Sequence, residues 1–386
     1  MVATGNDTLP TLQIGMGWFP DEVGGLDRFY YDLVRHLPRT GVQVRGVVAG
    51  MSSVAHESEG RVRPFAPTSA SLLSRWRGAR RMIGSELAQN RFTMVASHFA
   101  FYTFPVLDLI QPYPLVIHFH GPWASEGSVE GGGGLNTKVK FALERAVYRR
   151  GTRFIALSDA FRDVLHHLYK VPRERIHVVP GGVEARRFAT TLTRREARER
   201  LGWPQDRPTL VAVRRLARRM GLENLIGAIK EVRRRVPEIL LLIGGKGRLS
   251  RELSARVLSL GLEKNVRFLG FVPDGQLPLA YRAADLSVVP TVTLEGFGLI
   301  AVESLAAGTP VLVTPVGGLP EVVRDLSPAL ILPGTGVRSL AEGIRAALTG
   351  ELSLPSARTC EGYVRSRYDW PVVAARVRGV YEEALS

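Results

Sequence analysis

The chain has 386 residues, 45% of them apolar and 23% charged. At about 150 residues per domain this suggests two or three domains with sizeable cores, and it excludes a disordered tail, a collagen-like rod or a small disulfide scaffold. Basic residues outnumber acidic ones 51 to 36, a formal charge of +15 in which Arg exceeds Lys 45 to 6, so the expected partner is anionic: nucleic acid, a phosphorylated ligand or a membrane surface.

No apolar run approaches the ~18 residues of a membrane span. The opening MVATGNDTLPTLQ lacks the basic-then-apolar layout of a signal peptide. A lone Cys360 cannot form an intrachain disulfide. Together these point to the cytoplasm.

In chain order, the first half alternates short β-branched runs with amphipathic stretches. Strands are predicted at Leu12–Gly15, Val42–Val48, Met94–Ser97, Leu115–Phe119, Arg153–Leu157 and Ile176–Val179. Helices are predicted at Leu26–Leu37, Leu72–Asn90, Lys138–Arg149 and Asp159–Leu168. The second half repeats the pattern, with strands at Thr209–Val213, Ile239–Ile243, Val266–Leu269, Leu286–Val289, Val311–Val313 and Ala329–Leu332. Its helices fall at Leu222–Val236, Leu249–Leu260, Gln276–Ala284, Leu299–Ala307 and Ser339–Leu348. Strands alternating with crossover helices imply an α/β protein with parallel sheets covered on both faces. Two sets of about six strands fit two doubly wound, Rossmann-like domains.

The boundary falls at Pro180-Gly181-Gly182, giving domains 1–182 and 183–369, with a charged stretch from Arg186 to Arg200 after it. Gly127–Gly134, with four consecutive glycines, reads as a mobile loop. A last helix follows Trp370.

Ligands of such domains are expected beyond the carboxyl ends of the strands. Gly24-Gly25 opens the first helix, where glycines let backbone N–H groups approach an anion; a plain turn is the alternative. Gly15-Met16-Gly17 does not extend into a dinucleotide fingerprint. In His118-Phe119-His120-Gly121 the two histidines share a face, with His120 at the strand end. They read as core or polar residues, or as a metal pair, although no nearby carboxylate or Cys completes a metal site.

The densest pattern is Glu295-Gly296-Phe297-Gly298-Leu299-Ile300-Ala301-Val302-Glu303, after a strand. Glu295 lies in a glycine-rich loop and Glu303 inside the helix that follows. Ionised carboxylates beside a helix N-terminus are suited to gripping hydroxyl groups. Arg214, Arg215, Arg218 and Arg219, before Met220-Gly221, form either a diphosphate clamp or a solvated basic loop. No Asp-x-Asp motif occurs, so no bound metal is expected.

In this order the motifs resemble those of the GT-B glycosyltransferases, and specifically the retaining family four. The likeness rests on Phe268–Val272, Tyr281–Asp285, Glu295–Glu303, Ala306–Val311 and Gly317–Val322, joined by Gly24-Gly25, His118–Gly121 and Pro180–Val183. It implies two Rossmann-like domains facing across a cleft, acceptor-binding first and nucleotide-sugar-binding second, with the helix 370–386 crossing back to the first. It also implies retaining, metal-independent transfer of a sugar from a nucleoside-diphosphate sugar, with no cofactor, to a hydroxyl of a glycan, small-molecule or lipid-linked acceptor.

By the same resemblance, Glu295 with the Gly296, Phe297, Gly298 and Leu299 backbone would hold the sugar hydroxyls, and Glu303 the ribose. Arg215 would meet the diphosphate, with Gly24 and Gly25 amides contributing. His120 would contact the sugar near the reacting carbon, and Phe271 and Val272 the base. The family's usual clamp Lys is Met220 here, leaving Arg218 or Arg219 to supply its charge. The usual Asn after Pro180 is replaced by Gly181-Gly182.

Rival expectations are a nucleotide-sugar epimerase or sugar phosphorylase of the same fold and, from the charge alone, a nucleic-acid binder, which the absence of any nucleic-acid motif disfavours. Peripheral attachment to the inner face of an anionic membrane is a further expectation. It rests on Leu72, Trp76, Ala79, Ile83 and Leu87 beside Arg77, Arg80 and Arg81, where the alternative is a stripe turned to the core.

Overall fold

The structure, a computed structural model, describes residues 8–22, 24–125 and 135–386; the loop expected at Gly127–Gly134 lies outside them. The chain divides into two compact units, one running up to Gly182 and including Trp370–Ser386, the other Val183–Asp369.

In the first unit the strands are β1 (Leu9–Ile14), β2 (Val42–Ala49), β3 (Val62–Ala66), β4 (Met94–Ser97), β5 (Leu115–Phe119), β6 (Arg153–Ala156) and β7 (Ile176–Val178). They form one parallel sheet in the order β3-β2-β1-β4-β5-β6-β7. All of β4 and β5 is buried, because a parallel sheet is covered on both faces and its strands read as unbroken apolar runs. Alternate residues feed opposite faces: Val95 joins the cluster around Leu12, Ile117 and Phe119, whereas Met94 and Ala96 join the one around Phe29, Tyr30 and Leu33. The final helix, Trp370–Glu383, completes that second cluster with Trp370, Val377 and Tyr381.

The second unit holds β8 (Thr209–Val213), β9 (Leu240–Gly244), β10 (Val266–Gly270), β11 (Leu286–Val289) and β12 (Val311–Val313). Its parallel sheet has the order β10-β9-β8-β11-β12. Each sheet reverses its strand order once, between β1 and β4 and between β8 and β11. In open α/β sheets the loops leaving the carboxyl ends at such a reversal form the ligand crevice.

Seven and five strands replace the six and six expected. The additional strand, β3, carries Arg63 and Pro64, which hid it; it lies at the sheet edge, where a proline costs no ladder bond. Ala329–Leu332 is not a strand: Pro328–Leu330 forms a 3-10 turn, and Ile331 makes a single bridge to Val313. Part of the charged stretch after residue 186 is the helix Arg194–Leu201, opened by a capping box between Thr193 and Glu196.

The stripe read as membrane-facing turns inward along the helix Leu72–Gln89. Trp76 packs on Phe101 and Phe104, and Ala79 and Ile83 are fully buried. Of the large apolar side chains on this helix only Leu72 and Leu73 are exposed, and Arg80 pairs with Asp108. Among the described residues no helix is long and apolar enough to cross a membrane.

Candidate active site

In the first unit, polar side chains gather where β1, β4 and β5 end. His118 and His120 project from one side of β5, their rings within 13° of parallel and 6.3 Å apart. A third histidine, His98, directly follows β4. Its Nε2 lies 3.0 Å from Gln13 Oε1 and its Nδ1 3.4 Å from His120 Nε2. His118 Nε2 lies 2.8 Å from the hydroxyl of Tyr381 in the final helix.

His98 and His118 are buried and His120 is half-buried. Burial removes the solvation an imidazolium needs. It is the main reason all three stay neutral, with His120 lowered to about 3. The turn after His120 is fixed by buried Glu144, which accepts from the Trp123 and Ala124 backbone N–H groups and from the Tyr169 hydroxyl.

The three histidines offer nitrogens within 4.8 Å of one another. Yet His98 and His118 stack face to face, with centroids 4.1 Å apart and planes 21° from parallel. An ion in the plane of one ring would stand above the other, so the rings as placed do not converge on a metal, which needs in-plane lone pairs.

Gly24 is extended, and Gly25 begins the helix Gly25–His36. A Cβ on Gly25 would meet nothing, so packing does not require a glycine there. Asp27, in the first turn, is buried, and its carboxyl is pushed up to about 6, chiefly by that burial and further by Glu22.

The second unit places its cluster where β8 and β11 end. The guanidinium that meets Glu295 is that of Arg214: its Nη2 lies 2.6 Å from Glu295 Oε2 and its Nη1 donates to Thr291, whose hydroxyl also donates to that carboxylate at 3.2 Å. Arg214 is buried, whereas Arg215 is exposed. Arg218 pairs with Glu223 and Glu252, and Arg219 donates to the Leu294 carbonyl at 2.8 Å, steadying the loop before Glu295. Met220 is buried.

On the far side of the loop, Gly318 N–H donates to the Glu295 carbonyl at 3.0 Å. Gly296 leads to buried Phe297, whose ring meets Tyr368. Gly298, at φ +94°, turns the chain into the helix Leu299–Ala306. Glu303, half-buried on that helix, accepts from the Tyr281 hydroxyl at 3.2 Å. Phe271 is exposed past the end of β10, with Lys246 Nζ 5.5 Å from its ring centroid, and Val272 beside it is half-buried.

Glu295, Gly296, Phe297, Gly298, Leu299, Glu303 and Arg219 therefore share one loop-and-helix cluster. Phe271 and Val272 lie two strands away from β8, and His120, Gly24 and Gly25 belong to the first unit. Gln13, His98, Tyr381 and Thr291 were not marked by sequence reasoning, and Tyr281 entered only as part of the Tyr281–Asp285 motif, without a role of its own. His98 had a readable signal, a histidine directly after a strand.

Two doubly wound parallel units, each with a polar cluster at its strand-order reversal, define the GT-B architecture. The glycosyl transferases group 1 family matches residues 193–367, and Glycosyltransferase Family 4 matches residues 23–187; the chain belongs to the group 1 glycosyltransferases. D-inositol 3-phosphate glycosyltransferase 1 of Catenulispora acidiphila is 31% identical over 282 residues, covering 70% of this chain and 67% of that protein. Mannosylfructose-phosphate synthase of Agrobacterium fabrum is 33% identical over 262 residues, 64% of this chain and 56% of that one. The chain spans 56% to 65% of the length of the first curated relatives it matches. Anabaena HepE, solved in complex with UDP-glucose, shares the fold at a TM-score of 0.77 and 18% identity, over 97% of this chain and all of that one.

Proposed function

We propose that this glycosyltransferase moves a sugar from a nucleoside-diphosphate sugar to a hydroxyl acceptor, with retention at the sugar carbon and without a metal. The observation that carries the reading is the loop Glu295–Gly298, with a carboxylate oriented by buried Arg214 and Thr291 and a second carboxylate, Glu303, on the helix that follows.

In this reading the second unit binds the donor. Glu295 accepts from sugar hydroxyls, because an ionised carboxylate is a strong acceptor. Glu303, steadied by Tyr281, takes the ribose, and Phe271 and Val272 border the base. Departure of the diphosphate builds negative charge on it, which Arg215, Arg219 and the N–H groups at the start of the helix Leu299–Ala306 offset. The Gly24-Gly25 amides are assigned the same task. His120 in the first unit contacts the sugar near the reacting carbon. The leaving phosphate draws the proton from the acceptor hydroxyl, which attacks on the same face, so neither a side-chain nucleophile nor a cation is required.

The test is release of nucleoside diphosphate and transfer of labelled sugar by the purified chain, with Glu295→Ala, Arg215→Ala and His120→Ala compared with wild type. Each variant is expected to remain folded and lose transfer. Near-normal transfer by all three contradicts the assignment.

A further inference from the structure

The polar cluster of the first unit is held in one hydrogen-bonding sense from end to end. It starts at the peptide carbonyl of Gln43, which can only accept. The Thr11 hydroxyl donates its single proton to that carbonyl at 2.9 Å. Towards Gln13, Thr11 can therefore only accept, and it does so from the amide Nε2 at 2.9 Å. That fixes the amide's orientation and turns Oε1 to His98 Nε2 at 3.0 Å and to the Tyr381 hydroxyl at 3.2 Å.

An amide oxygen only accepts, so His98 carries its proton on Nε2. A neutral imidazole has one ring proton, which leaves His98 Nδ1 as an acceptor. Its partner at 3.4 Å is His120 Nε2, which must donate. The two ring centroids lie 5.6 Å apart at 25° between planes. That is close to the nitrogen separation plus two ring radii, so the rings meet edge to edge. On the other arm, Tyr381 gives its proton to Gln13 and accepts from His118 Nε2 at 2.8 Å.

We propose that Thr11, Gln13 and His98 are positioning residues that hold His120 as its Nε2–H tautomer, so that His120 Nδ1 faces the substrate as a pure hydrogen-bond acceptor. The group it recognises is then a hydroxyl, which can donate, and not a phosphate or carboxylate oxygen, which cannot. This use of Nδ1 rests on the glycosyl-transfer reading above; the tautomer itself does not. A flipped Gln13 amide would reverse every bond in the row, and the Thr11 bond to the main chain prevents the flip. The row joins β1, β4, β5 and the final helix, so it is set by the fold of the first unit before any ligand binds.

The experiment is a two-bond ¹H–¹⁵N correlation spectrum of the full chain labelled with ¹⁵N-histidine at pH 7 without ligand, assigned with single His→Gln variants. His98, His118 and His120 are each expected to show the neutral Nε2–H pattern. An Nδ1–H or doubly protonated His120 overturns the proposal. In Gln13→Leu, or in the milder Thr11→Val if the first fails to fold, the His120 signals are expected to move towards the average of the two tautomers. An unchanged His120 spectrum in a folded variant also overturns it. Transfer is read separately: if the tautomers are as derived but His120→Ala transfers sugar normally, the row stands and the catalytic assignment of His120 fails.

Discussion

Replacing Gly317 by alanine tests how closely transfer depends on the position of Glu295, without touching that carboxylate. Gly317 sits at φ +55°, and a Cβ there would fall 1.8 Å from the Glu295 carbonyl oxygen. Real Cβ contacts essentially never come under 3.0 Å, so the two must separate by more than 1 Å. The obstacle is main chain, which cannot swing aside as a side chain can. The left-handed conformation adds about 1 kcal/mol of strain for a residue other than glycine.

A shift of that size breaks the 2.6 Å bond from Arg214 to Glu295 Oε2 and the 3.0 Å bond from Gly318 to the Glu295 carbonyl. Misplacing a positioning group by about 1 Å costs on the order of 100-fold in rate, or about 2.7 kcal/mol in the barrier. The assay is donor turnover beside thermal unfolding, with Gly362→Ala as control. Gly362 lies in the helix Ala357–Arg367, where a Cβ meets nothing, so its loss is expected to leave turnover unchanged and to stabilise by about 0.5–1 kcal/mol. Wild-type turnover in Gly317→Ala would refute the idea that the Glu295 loop sets the rate.

Three further outcomes follow from the clusters. Arg214→Met leaves Glu295 without its buried partner and is expected to destabilise the second unit by about 3–5 kcal/mol, read by denaturant unfolding. Asp27 is raised from 3.8 to about 6 in the fold, so its ionisation opposes folding. The penalty is absent below pH 4, grows as pH rises through 6 and reaches about 3 kcal/mol, and Asp27→Asn is expected to be more stable than wild type at pH 8 but not at pH 4. His98 and His118 are held well below 6.5, the opposite case. Their contribution is full above pH 6.5 and is lost as pH falls, at about 1.4 kcal/mol per pH unit for each, and His118→Gln is expected to flatten that acid limb in denaturant titrations at pH 5 and 7.

The sequence made the parallel architecture legible because a strand buried on both faces writes itself as an unbroken apolar run; β5, β11 and β12 coincide with their predicted ranges. The helices of the second unit were legible through their apolar periodicity. What hid β3 was Pro64, admissible only because the strand lies at the edge, and what made Ala329–Leu332 look like a strand was apolar content, of which the fold uses only a single bridge from Ile331 to Val313.

The clusters divide in the same way. Residues adjacent in sequence, such as Glu295–Leu299, could be read as a unit. The row that orients His120 joins Gln13 to His98 and Tyr381, partners 85 and 368 positions away in the chain, and no local pattern encodes such a meeting. Arg214 and Arg215 are adjacent and chemically alike, yet the fold buries the first against Glu295 and leaves the second exposed. Some of the arginines serve structural pairs such as Arg198 with Asp285 and Arg367 with Asp325, which leave the formal charge of +15 unchanged.

The central claim is tested most directly by incubating the purified chain with a panel of radiolabelled nucleoside-diphosphate sugars and an acceptor mixture, then following both nucleoside diphosphate and labelled product. The account predicts stoichiometric release and transfer from at least one donor, undiminished by a metal chelator and lost in Glu295→Ala. Transfer that requires an added divalent cation, or that survives intact in Glu295→Ala, would contradict it.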